Sequence, residues 1–88
     1  GSRSVYVFDQ PESRITPIME HLERTYAGIR SYSLPTVGRT DSDGRYIPPH
    51  IEFGIKSEGE ACRLLDAAWE DALQGLQAIG ATLKETVE

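Results

Sequence analysis

Cysteine is almost absent from this chain: Cys62 stands alone among 88 residues. A lone cysteine excludes an internal disulfide framework and any cysteine-based zinc site, and it fits a reducing, cytoplasmic setting. Basic side chains are also scarce, nine Lys and Arg against fourteen Asp and Glu, for a net charge of −5. A general nucleic-acid binder needs such cations to displace counterions from phosphates, and an anionic membrane surface needs them to hold a protein. Neither partner is expected. No apolar run approaches the roughly 20 residues that span a bilayer, and no signal-peptide pattern opens the chain.

What is present reads as one small globular unit. Hydrophobic residues make up 39% and charged residues 26%, a balance that favours a packed core over disorder. A domain of this size buries roughly 60–65% of its unfolded surface, enough for one core and little more. Gly1-Ser2 reads as a cloning remnant, residues 1–3 as remnant or linker, and 4–88 as a single α+β domain excised from a longer protein.

The clearest local signal is the join from Ile51 to Glu60. Ile51, Phe53 and Ile55 alternate with His50, Glu52 and Lys56, as on a strand with one buried face. Ser57 with Glu60 three residues on forms a capping box, which predicts a helix from about Glu58 to Ala78. Its buried stripe comprises Ala61, Leu64, Leu65, Ala68, Ala72, Leu76 and Ile79. Upstream, Ser4 to Phe8 is β-branched and aromatic and reads as a first strand. Ile15, Ile18, Met19, Leu22 and Tyr26 recur at helical spacing, with Thr16-Pro17 suited to cap and first position, and Gly28 to the stop. Ile29 to Leu34 reads as a second strand ended by Pro35. Gly38 to Pro49 is a loop with Asp43-Gly44 as its tight turn. Thr82 to Val87 alternates as a final edge strand. The order β-α-β-β-α-β predicts a ferredoxin-like two-layer sandwich, an antiparallel sheet in the order 4-1-3-2 with both helices on one face.

Chemistry is harder to find. Asp41-Ser42-Asp43-Gly44 resembles part of a calcium loop, but the register puts Arg39 and His50 where carboxylates are required, so a hairpin turn is expected. His21 and His50 lie in separate elements, and an enzyme would need a cleft bringing one of them beside a carboxylate. Cys62 has acidic helical neighbours, Glu58 and Asp66, which oppose a thiolate; a small, semi-buried structural role is expected. The glycines form no phosphate-cradling pattern. Tyr6, Phe8, Tyr32, Tyr46 and Phe53 are the candidates for a base-stacking platform, but strand three lacks the RNA-recognition signature and carries Glu52. Core filling, with tyrosine hydroxyls at a domain boundary, is the expected use. Trp69 and Leu73 sit on the flank of the second helix, where they cover the core edge or touch another domain. No catalytic or metal-binding residue is assigned, and no cofactor is expected in this domain.

The order of elements and several strings resemble the small C-terminal subdomain that follows the molybdopterin-binding domain in the competence/damage-inducible protein A (CinA) family. There a strand is followed by Glu-Ser and an apolar helix, as Val7-Phe8 is here by Glu12-Ser13 and Ile15 to Leu22. The helix leads through an aromatic residue, here Tyr26, to a strand closing on a Ser-Tyr-Pro-like string, here Ser33-Leu34-Pro35. A strand such as His50 to Lys56 and a long Ala/Leu-rich helix such as residues 60–79 complete the unit. The likeness covers most of residues 4–85; Leu34 and the loop Gly38 to Pro49 depart from it. The resemblance implies an accessory, non-catalytic domain contacting a molybdopterin-binding-like domain of the parent chain or forming a homodimer. The family is linked to molybdenum-cofactor-type binding, nucleotide-sugar pyrophosphate hydrolysis and nicotinamide-nucleotide deamidation, but its catalytic residues lie in other domains. The alternative is a ferredoxin-like regulatory domain that binds a small molecule.

Overall fold

Alternation and helical stripes sort the chain into two layers around one apolar seam. The computed structural model describes residues 1–86. Its elements are β1 (Ser2–Phe8), α1 (Glu12–Thr25), β2 (Ile29–Thr36), β3 (Arg39–Thr40), β4 (Tyr46–Ile47), β5 (His50–Ser57), α2 (Leu65–Ala78) and β6 (Thr82–Glu85), with a 3-10 helix at Gly59–Leu64. Four strands form one antiparallel sheet in the order β2-β5-β1-β6, the ferredoxin-like order expected. Val87, on which the expected last strand ended, lies outside the described residues, as does Glu88.

Val5 and Val7 of β1 and Ile51, Phe53 and Ile55 of β5 are buried against Ile15 and Leu22 of α1 and Leu65, Ala68, Ala72 and Leu76 of α2. Both helices therefore cover the same side of the sheet. The small residues Ala68 and Ala72 keep α2 close to the sheet, and Trp69 beside them stacks on Phe53 with centroids 6.0 Å apart. Trp69 thus caps the core edge.

Several boundaries differ from the sequence reading. The helix α1 begins at Glu12, with Pro11 as N-cap, and Pro17 lies inside it. Thr16 is not a cap; its hydroxyl donates back to the Glu12 carbonyl at 3.0 Å. Ser57 caps no helix: it is buried at the end of β5, and the chain turns first through the 3-10 segment, whose N-cap, Glu58, makes no side-chain capping bond. β2 runs on through Pro35 to Thr36. An edge strand tolerates proline because the missing N–H faces outward. β1 starts at Ser2, and Ser2 and Arg3 pair with Lys56 and Ile55.

The loop after β2 folds as its own two-stranded ribbon, with Tyr46-Ile47 pairing Arg39-Thr40. Asp41 organises the turn: its Oδ1 accepts from the Asp43 and Arg45 amides, both at 2.9 Å. That carboxylate is spent on backbone, as a hairpin reading requires.

Candidate functional site

A sheet covered on one side exposes the alternate residues of every strand on the other. The register puts these in rows across β2, β5, β1 and β6: Arg30, Lys56 and Ser2; Tyr32, Gly54 and Ser4; Leu34, Glu52, Tyr6 and Lys84. Thr36 and His50 pair in the next row, where Phe8 pairs with Thr82. Tyr6, Phe8 and Tyr32 therefore do not fill the core, contrary to expectation, whereas Phe53 does. The signal was in the sequence: they sit at the strand parity opposite to the apolar residues.

His50 is a buried polar side chain on this face. Its ring lies 4.7 Å from that of Tyr6 and 5.1 Å from that of Phe8, centroid to centroid. Nδ1 is 3.0 Å from the Pro48 carbonyl, and the Thr36 hydroxyl is within 3.2 Å of the ring and 3.1 Å of the His50 carbonyl. An imidazole seated this firmly holds the Pro48-Pro49 approach against the sheet. Beside it, Tyr6, Pro35, Thr36, Val37, Arg39 and Glu52 line an open hollow of about 530 Å³ shared with His50. Among the described residues, Leu34, Val37 and Tyr46 are the large apolar side chains left exposed: Leu34 on β2, Tyr46 on β4 and Val37 in the link between β2 and the ribbon.

Tyr32 crosses the face over Gly54, and its hydroxyl donates to Glu52 Oε2 at 3.2 Å. Loss of solvent, then the Glu52 charge, pushes the Tyr32 phenol above its ordinary value. The Lys56 ammonium stands 5.4 Å from the Tyr32 ring centroid.

The other titratable cluster ties the helices. His21 Nε2 and the Tyr26 hydroxyl both reach Asp71 Oδ2, at 2.9 and 3.0 Å, and Thr25 Oγ1 lies 3.4 Å from His21 Nδ1. Histidine does stand beside a carboxylate here, which sequence spacing did not reveal. The cluster is on the exposed flank of α1, and the hydroxyl contact is long for activating a nucleophile. The hydrogen bond to Asp71 raises the Tyr26 pKa, with desolvation and the Asp71 charge adding to it.

Cys62 is exposed rather than semi-buried, within the 3-10 helix. Hydrogen bonding with Ser57, then with the terminal amine of Gly1, lowers its pKa. Among the described residues no three His, Cys, Asp or Glu side chains are grouped to hold a metal ion, and no helix is long and apolar enough to cross a membrane. No family model matches this sequence, and no curated protein or solved structure matches it either.

Proposed function

We propose that this chain is an accessory, non-catalytic module of a cytoplasmic molybdopterin-binding-like protein similar to the CinA family. It presents its uncovered sheet face to the neighbouring domain or to a second subunit. The observation that carries this reading is the face itself, half-buried aromatics and exposed Leu34 on a side that no helix covers. The string resemblance over most of residues 4–85 is what points to a molybdopterin-binding-like partner. Titrating the isotope-labelled chain with the parent molybdopterin-binding-like domain tests it by NMR. Amide shifts on Tyr6, Tyr32, Glu52 and Lys56 are expected; an unchanged spectrum at millimolar partner overturns the reading.

The hollow beside His50 favours a second reading, a regulatory domain that takes a small molecule. Its volume of about 530 Å³ falls within the roughly 300–1,000 Å³ of ligand sites. A thermal-shift screen with pterins and nucleotides separates the two. A true ligand at a hundred times its Kd stabilises by about 2.7 kcal/mol.

A further inference from the structure

The charge on the open face runs against that of the chain. The whole sequence carries −5, yet exposed Arg30, Lys56 and Lys84 stand on this face and Arg39 lines the hollow at its end. Its carboxylate, Glu52, is already engaged by the Tyr32 hydroxyl. More telling is the pairing of Arg30 directly opposite Lys56 in the β2–β5 ladder. Like charges facing each other across two strands destabilise a sheet. Among the described residues neither stands within ion-pair distance of a carboxylate, although the Arg30 charge acts on Glu23 at the sheet edge. Such a pair is relieved when a carboxylate is laid over it.

The sheet edge next to this pair is obstructed to strand addition at most of its outward amides. The Ser31 amide points outward into Glu23 Oε2 at 2.9 Å, with the Ser31 hydroxyl on the same oxygen. Two residues before, the Ile29 amide donates to the Tyr26 carbonyl at 3.1 Å. Two residues beyond Ser33, Pro35 has no N–H at all. An occupant therefore comes over the face and not alongside β2. Two copies meeting face to face would oppose the same cations, which disfavours a symmetric pair. The aromatic rings are also committed: Tyr6 and Phe8 flank His50, and Tyr32 lies on Gly54 beneath the Lys56 ammonium. Base stacking needs free ring faces.

We propose that the open sheet face docks an acidic protein surface, with Asp or Glu side chains seated on the Arg30–Lys56 pair. This rests on the accessory-domain reading and adds the chemistry of the partner.

The test follows amide shifts of the full chain with three probes: an Asp/Glu-rich peptide, a Gly/Ser peptide of equal length, and oligothymidylate. Shifts at Arg30, Lys56 and Lys84 with the acidic peptide alone are expected, weakening about tenfold between about 50 and 300 mM salt. The Arg30→Glu/Lys56→Glu variant should lose them, and Lys84→Glu serves if that variant melts early. Arg24→Glu, on α1, should retain them. Tighter binding of oligothymidylate, equal binding of the neutral peptide, shifts that grow with chain concentration alone, or no shifts would each overturn the proposal. If the parent domain binds this face without regard to salt or to the Arg30 and Lys56 reversals, the accessory reading survives and this one falls. If the acidic peptide binds and the parent domain does not, the reverse holds.

Discussion

The ring of Tyr32 lies across Gly54, its partner in the β2–β5 ladder, in space that any Cβ at Gly54 would enter. The missing side chain in one strand thus sets the path of an aromatic ring from the next. It also places the phenol beside Glu52 and lets Lys56 stand over the ring.

Gly54→Ala should therefore dislodge the Tyr32 ring. Overpacking of this kind costs about 1–3 kcal/mol, which a denaturant melt reads directly. The second readout is the phenol. Its folded pKa is raised above the ordinary 10.0 by desolvation and then by Glu52. A raised value means that its contribution to stability is full below pH 10 and is lost as pH climbs through the folded pKa. In Gly54→Ala that alkaline loss should shrink, and ultraviolet titration should show one tyrosine moving down. An unchanged titration would mean that the ring stays in place without the glycine.

Gly28 makes a separate prediction. Its φ is +87°, and a Cβ there would lie 2.7 Å from the Ala61 Cβ, where the α1–β2 corner meets the 3-10 helix. Gly28→Ala combines backbone strain with a collision and should cost about 2–4 kcal/mol. Gly44 has a similar φ of +81° but open space around it, so Gly44→Ala should cost only about 1–2 kcal/mol. Equal melting shifts for the two would contradict the Gly28–Ala61 contact.

Glu23 guards the outer edge of β2, and its titration should register that role. Hydrogen bonds from the Ser31 side chain and then its amide hold the Glu23 carboxyl below 4.5. The stability it contributes is present above that ordinary value and is lost as pH falls through the lower, folded value. Because Glu23 is largely solvent-exposed, the effect is small and screened by salt. Glu23→Ala should flatten this acid limb and bare the Ser31 amide. Light scattering should then show association that the parent chain lacks at the same concentration. A Glu23→Ala chain that stays monomeric would show that Pro35 and the Tyr26 carbonyl close the edge by themselves.

The fold was legible where a single period ran uninterrupted. Ile51, Phe53 and Ile55 alternate, and Ile15 and Leu22 sit seven apart, so burial followed from spacing alone. The strand order followed because right-handed crossovers leave few arrangements. Helix starts are masked in the sequence for a local reason. Ser57-Glu60 and Thr16-Pro17 carry the residue types of caps, but Ser57 ends a buried strand and Pro17 falls in the sixth position of α1. Capping types alone do not say which hydrogen bonds the surrounding chain has already made. The open face was hidden for another reason. Which aromatics meet depends on β1 lying beside β5, and the Tyr6–His50–Phe8 contact joins residues more than forty apart in sequence. His21 and Asp71 are likewise fifty apart.

That last pair gives a direct test of the non-catalytic reading. Thr25, His21 and Asp71 line up as hydroxyl, imidazole and carboxylate, an order that hydrolases use. Here the Tyr26 hydroxyl competes for the same Asp71 oxygen, and the Thr25 contact spans 3.4 Å. If the cluster only ties α1 to α2, Asp71→Asn should bring the raised Tyr26 pKa down toward its ordinary value, because the hydrogen bond to Asp71 is the main cause of the rise. Hydrolysis of an activated ester should meanwhile run at the same slow rate in the parent chain, Asp71→Asn and Thr25→Ala. A rate that drops in both variants while their melts stay unchanged would make the cluster catalytic and end the accessory-module proposal. A Tyr26 titration unmoved in Asp71→Asn would instead remove the tie between the helices.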